Sequence, residues 1–285
     1  MIRRPILGIG IAICLLALLW PSLPSAEAAA VGVSVSPSRF RLRRPPGEVA
    51  DGLISIENNG TRAIRVTTEV GDMVTLRNKE GLSIREEAPA GTTPHSCARW
   101  IQVLEGEGVV IPPRESGSVK FVLSPPPEIA SGGYGAYLFL IATPEETRGK
   151  KESDTPQARL MTVPRLGVSV IYEVAGAIQR SGNLTNLDFT PPTASDPMKV
   201  RYVFQNTGNA EVVLAGTFHI LDAENVLIGK GSLQAVKTFP KEQGTAETIW
   251  TQRLPPGRYT VLLTFELGPD PQEAIVRELS FEVTR

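Results

Sequence analysis

The chain has 285 residues, of which 41% are apolar, 24 are proline and 26 are glycine. That length accommodates two domains of about 100–150 residues each, and the apolar content is enough to give each a core. The formal net charge of −1 supplies no global attraction to nucleic acid or to an acidic membrane surface.

In chain order, the N-terminus reads first as a secretory signal, residues 1–30. Arg3 and Arg4 precede an apolar run from Pro5 to Trp20, and Ala26-Glu27-Ala28 or Ala28-Ala29-Ala30 offers a small-x-small cleavage site. A spanning helix needs about 20 apolar residues, so the expectation is cleavage and export; an uncleaved anchor is the alternative. No later apolar run is long enough to span, so the expected mature chain is exported, periplasmic or extracellular, with no integral membrane segment. Cys14 lies inside the signal, which leaves Cys97 as the one thiol of the mature chain. An internal disulfide is thereby excluded, and a buried thiol is expected.

Val31 to Leu42 reads as the first strand. Past Pro37, Phe40 and Leu42 point to a core while Arg39, Arg41 and Arg43 point away, because strand side chains alternate. Leu53–Asn58 and Ala63–Val70 flank a turn. Asn78–Thr93 reads as loop with one short strand. Strands are then expected at Trp100–Val103, through Val119, Phe121 and Leu123, and over Tyr134–Ala142. Thr143–Arg159 is polar and reads as a long loop. Arg165–Val174 alternates, with Leu166, Val168, Val170, Tyr172 and Val174 on one face. A hinge is expected near residues 175–181. Beyond it the strands are Leu184–Phe189, Lys199–Gln205, Glu211–Leu221, Val226–Ile228, Ala246–Gln252, Tyr259–Leu267 and Ile275–Val283. Gly229-Lys230-Gly231-Ser232 lacks the spacing of a phosphate loop and reads as a turn.

One pattern occurs twice. Ile56-Glu57-Asn58-Asn59-Gly60, followed by Ile64 and Val66, matches Phe204-Gln205-Asn206-Thr207-Gly208, followed by Val212 and Leu214. Each Asn-x-Gly lies between alternating apolar runs, as in a strand–turn–strand unit. Downstream of each stands a Gly-x-Tyr, at Tyr134 and at Tyr259, where an immunoglobulin-like sandwich keeps its tyrosine corner. The expected fold is all-β: two tandem immunoglobulin-like β-sandwiches, 31–177 and 178–285, after the signal peptide.

Catalytic and metal-binding patterns are missing. The two histidines, His95 and His219, fall in different expected domains, and there is no His-Glu-x-x-His, Cys-x-x-Cys, Gly-x-Ser-x-Gly or Walker loop. The chain therefore reads as a non-enzyme with no cofactor and no metal, one that works by holding another protein.

The first domain resembles the N-terminal domain of periplasmic pilus-assembly chaperones. The resemblance lies in Val35-Ser36-Pro37-Ser38-Arg39-Phe40-Arg41, the Asn58 turn, Pro112-Pro113, the alternating Val119, Phe121 and Leu123, and the polar loop before a last alternating strand; it covers about residues 31–175. It implies a protein client, a pilus or surface subunit, held by strand addition. It also implies two basic anchors for the client's C-terminal carboxylate. Arg41 stands at the first anchor. At the second, a lysine in that family, this chain has Gly167, with Arg165 two residues away. The implied donor face is Leu166, Val168 and Val170.

Trp100-Ile101, Ile111-Pro112-Pro113, Val119-x-Phe121-x-Leu123 and Gly133-Tyr134 are also similar to the peptidoglycan-binding domain of cell-wall proteins that partner WxL proteins. That resemblance implies the alternative role of an envelope scaffold or adhesin that binds a cell-wall polymer.

Overall fold

A computed structural model describes residues 32–145, 163–176, 178–193, 195–268 and 274–284. The signal segment and most of the polar loop at 143–159 lie outside the described residues. Thr143 and Pro144 fall at the end of a strand instead.

The first sandwich is built from ten strands. Its first sheet joins β1 (Val33–Ser36), β3 (Ala50–Asn58), β8 (Ser116–Leu123) and β6 (Ile101–Val103), in that order. Its second sheet runs β2 (Arg39–Arg44), β10 (Arg165–Val174), β9 (Gly133–Pro144), β4 (Ile64–Arg77) and β5 (Ser83–Pro89), with β7 (Val109–Ile111) also paired to β4. The expected first strand is thus divided between sheets. Pro37 has no N–H to continue the β1 ladder, and the chain crosses there to pair β2 with β10 in parallel.

The second sandwich packs β11 (Gly182–Thr190), β12 (Met198–Asn206) and β15 (Gln243–Trp250) against a sheet of β14 (Leu227–Thr238), β13 (Val212–Leu221), β16 (Gly257–Leu267) and β17 (Ala274–Val283). Each sandwich has its own core. Ile54, Ile56, Val119, Phe121 and Leu138 fill the first. Tyr202, Phe204, Phe218, Val261 and Phe265 fill the second. The fold class is as expected, two immunoglobulin-like sandwiches.

The repeated motif performs the same task in both. Asn58 is buried; its Nδ2 donates to the carbonyls of Arg62, Ile111 and Pro112 at 2.8–3.1 Å, and its Oδ1 accepts from Gly60 N at 3.0 Å. Asn206 is equally buried; its Nδ2 donates to Ala210 O and Thr238 O at 3.0 and 3.1 Å, and its Oδ1 accepts from Gly208 N at 2.9 Å. Each asparagine fastens its own turn to a strand far away in sequence, since an amide can donate twice and accept while its side chain is dry. The two tyrosine corners also match: Tyr134 donates to Ala130 O at 3.0 Å and Tyr259 to Pro255 O at 2.7 Å, each four residues back.

Three local readings are corrected. Gly229–Ser232 is not a turn but part of β14, whose glycines keep the strand close to bulky rings. A Cβ at Gly229 would stand 2.9 Å from Trp250 and one at Gly231 2.6 Å from Phe218. The strand expected at 226–228 therefore runs on to Thr238. β4 continues past Val70 to Arg77 because β5 pairs with it over 71–77. Trp100 sits in a single 3-10 turn, Ala98–Trp100, not in a strand.

Cys97 is fully buried beside Val170 O, and burial pushes its thiol well above the usual range. It stays a protonated, inert thiol. A chain from residue 31 onward is expected to resist a thiol reagent for as long as it is folded and to react stoichiometrically in denaturant. Mass spectrometry checks this, and fast labelling of the native chain would contradict the burial.

Candidate strand-docking and carboxylate site

Residues opposite one another in the second sheet share a face. Arg39, Ser169 and Tyr137 form one such row, Arg41, Ile171 and Gly135 the next, and Arg43, Glu173 and Gly133 a third. This face looks away from the core of the first sandwich. The arginines of β2 do point outward as expected, but they meet carboxylates at the junction with the second sandwich instead of bulk solvent.

Two glutamates form the centre of that junction, both with side chains 0% exposed. Glu173, on β10, accepts from Arg41, Arg180 and, at 3.3 Å, Arg43. Glu211, just before β13, accepts from Arg39 and, at 3.2 Å, from Arg41, and its Oε1 forms an ion pair with Lys237 Nζ at 2.6 Å. Arg41 therefore bridges both carboxylates. Lys237 also donates to Tyr137 Oη at 3.0 Å, and Phe239 lies against Gly135. Among the described residues, five cations surround two carboxylates, so the cluster carries a positive surplus. Arg39 is 38% exposed and is the cation at the start of β2. Beneath it Ser169 is buried, and its hydroxyl has no hydrogen-bond partner.

The expected site residues divide between the two faces of β10. Arg41 and Arg165 share the outer face; Leu166, Val168 and Val170 face inward. Val168 and Val170 are 0% exposed and belong to the core of the first sandwich, so neither is displayed as a donor side chain. Their alternation reflects a core-facing strand. Leu166 is half-buried against the same cluster. Arg165 lies over the Phe139 ring, 4.6 Å from its centroid, and ion-pairs with Glu87 and, at 2.8 Å, with Glu69. Its side chain points across the sheet to β4 and β5, not along β10 toward Arg41. Six residue steps along the strand separate Arg165 from Ile171, which stands opposite Arg41, a span of about 20 Å at about 3.3 Å per residue. Beside Arg39 and Arg41 on β10 stand Ser169 and Ile171, so the amine of this cluster comes from Lys237 of the second sandwich. Only a fold places Lys237 there, and sequence inspection could not have found it.

The open part of the site is backbone. β2 covers β10 only from Ser169 to Val174, and no described strand pairs with Arg165–Val168 on that side. Ser169 N and Ala175 N donate toward β2, to Ser38 O and Arg44 O, whereas Val174 N and Pro164 O bond on the β9 side. By alternation, the N–H and C=O groups of Arg165 and Gly167 face the uncovered side. Both residues are exposed.

Trp100 packs on Tyr134 at 4.9 Å between centroids and edge-on to Tyr172 at 6.2 Å. It is part of the core edge, not a free aromatic platform for sugar rings. Among the described residues no cluster of His, Cys, Asp or Glu could hold a metal ion, and no helix is long and apolar enough to cross a membrane.

No family model matches the chain, and no curated protein matches it. Solved structures are similar in fold. The YadV chaperone has a TM-score of 0.45 at 11% identity, over 87% of this chain and 99% of that one. A chain of the Salmonella enterica SafA pilin in complex with the SafB chaperone has a TM-score of 0.43 at 13% identity, over 88% and 97%. The Pseudomonas aeruginosa CupB2 chaperone has a TM-score of 0.40 at 9% identity, over 87% and 100%.

Proposed function

We propose that this protein is an exported, non-enzymatic chaperone-like factor in pilus or surface-structure assembly. It holds an extracytoplasmic protein client by strand addition along the uncovered stretch of β10. The observation that carries this reading is the half-covered strand. The N–H and C=O groups of Arg165 and Gly167 face a lane that no described strand fills and that β2 enters only at Arg39. An edge of this kind is a template for another chain, and it is short, as a specific lane for one client strand would be. Leu166 flanks the lane on the inner face and Arg165 on the outer.

The end of the lane suits a carboxylate. Arg39 and Lys237 stand there, each already sharing Glu211, with the unpartnered Ser169 hydroxyl below. We assign client carboxylate capture to Arg39, Arg41 and Lys237 together. In this reading Arg41 holds the two glutamates in place and the more exposed Arg39 meets the client. A client ending at Arg39 would run parallel to β10.

The test replaces Gly167 with proline. Proline removes an N–H that faces the empty lane and leaves the β9 ladder intact. Gly167→Ala controls for the added Cβ. The exported protein is isolated with its bound client, and amide exchange is followed at Arg165 and Gly167 of the complex. Gly167→Pro is expected to release the client while Gly167→Ala keeps it, and bound client is expected to slow both wild-type amides. A client that stays on Gly167→Pro and leaves those amides unprotected would show that the contact lies elsewhere.

A further inference from the structure

Gly167 is exposed, yet its outer face is roofed by aromatic rings. It stands opposite Phe139 in the β9–β10 register. A Cβ placed on it would lie 3.3 Å from Phe139 Cε1 and 3.5 Å from both Phe139 Cδ1 and Tyr137 Cδ1. The two rings are stacked 6.1 Å apart at 19°, and the Arg165 guanidinium covers Phe139 from the far side. The Phe139 ring straddles its own strand: one edge covers Gly167, and the opposite edge lies 3.4 Å from a Cβ placed on Gly71 of β4. A glycine in a sheet is covered by a large side chain from a neighbouring strand, most effectively an aromatic one. Phe139 supplies this from the β9 side, and among the described residues no strand covers the lane side.

We infer that the client strand carries a large apolar or aromatic side chain opposite Gly167, seated on the ring edges of Phe139 and Tyr137. This rests on the strand-addition reading above and adds the chemistry that selects the client. Directly opposed side chains in a sheet interact at about 4.5–5.5 Å between Cβ atoms, so a residue opposite Gly167 meets no competing side chain and can cross the glycine to the rings. Arg165 is already matched by Glu69 and Glu87 and presents no unpaired charge that would favour an acidic residue there. Gly167 lies two places before Ser169, which is opposite Arg39. The selected residue therefore lies about two places before a client carboxylate held at Arg39.

The probes are synthetic strand peptides of alternating valine and threonine, with N-terminal lysines for solubility and a free C-terminal carboxylate. Phe, Leu, Ala or Asp is placed in turn at each of the last four positions. Affinity for the full exported chain is measured by calorimetry, and occupancy of the lane by slowed amide exchange at Arg165 and Gly167. At one position Phe and Leu are expected to bind about five- to ten-fold tighter than Ala, the size of a good cross-strand apolar contact. That preference should disappear in Gly167→Val, whose own side chain fills the space, and shrink in Phe139→Leu, which keeps the core side untouched. Equal affinities at every position, with the edge amides protected, would overturn this inference and leave strand addition standing. If no peptide protects those amides, strand addition at this edge fails, and the inference fails with it.

Discussion

Glu211→Ala is expected to lower the unfolding free energy by about 3–5 kcal/mol, the cost of removing one partner from a buried ion cluster. Its side chain is wholly buried and serves Arg39, Arg41 and Lys237 at once. Without it three cations face one another across the junction, and Arg41 keeps only Glu173. Truncating a single cation differs in kind. Arg39 is more than a third exposed, so water takes over its hydration when the pair is broken, and Arg39→Ala is expected to cost under about 1 kcal/mol. Glu211→Gln should fall between the two, since the amide retains an acceptor but not the charge. Urea titration of the three variants checks the ranking, and small-angle scattering tests whether the two sandwiches separate before they unfold. If Glu211→Ala unfolds at the wild-type midpoint, the cluster does not fasten the junction. In melting temperature the expected loss is about 6 °C or more for a chain of this size.

Asn58→Ala and Asn206→Ala form the second large pair, each with an expected cost of about 3–4 kcal/mol. In each case one truncation strands two or three backbone carbonyls and one amide N–H, and buried groups left without partners cost about 1–3 kcal/mol each. Water cannot substitute, because both side chains are essentially inaccessible, at 1% and 0% exposure. The aspartate variants should be at least as damaging. They keep the acceptor for Gly60 or Gly208 but turn a carboxylate oxygen toward the carbonyls that Nδ2 served. Calorimetry should show Asn58→Ala lowering the transition of the first sandwich and Asn206→Ala that of the second. Losses under about 1 kcal/mol at both sites would mean that the turns are held by other bonds.

The repeat at Asn58 and Asn206 was legible because a buried amide at the end of a strand has a short local signature: apolar alternation before it, glycine two residues on, apolar alternation after. The tyrosine corners were legible for the same reason, since each bond spans only four residues. Strands with clean alternation, such as Arg165–Val174 and Tyr259–Leu267, read almost to their ends. β14 did not, because Gly229 and Gly231 look like turn residues until Trp250 and Phe218 are seen to occupy the space their side chains would need.

The candidate site was legible only in part. Period-two alternation identifies β10 and places Arg165 on the opposite face from Leu166, Val168 and Val170. It cannot say which face meets the protein's own core, and Val168 and Val170 lie in that core. Arg41 was visible as a basic residue on the first strand, but its two carboxylates come from positions 132 and 170 residues away, and Lys237 comes from the other sandwich. By itself the sequence determined the all-β class, the two repeated units and the alternation of Arg165–Val174, because each rests on local periodicity and short-range turn chemistry. Only the tertiary structure decided that β2 begins at Arg39, that Gly167 lies beneath two rings and that the arginines are shared with Glu173 and Glu211. Those facts depend on register and on contacts between distant strands, which side-chain pattern along a single chain does not encode.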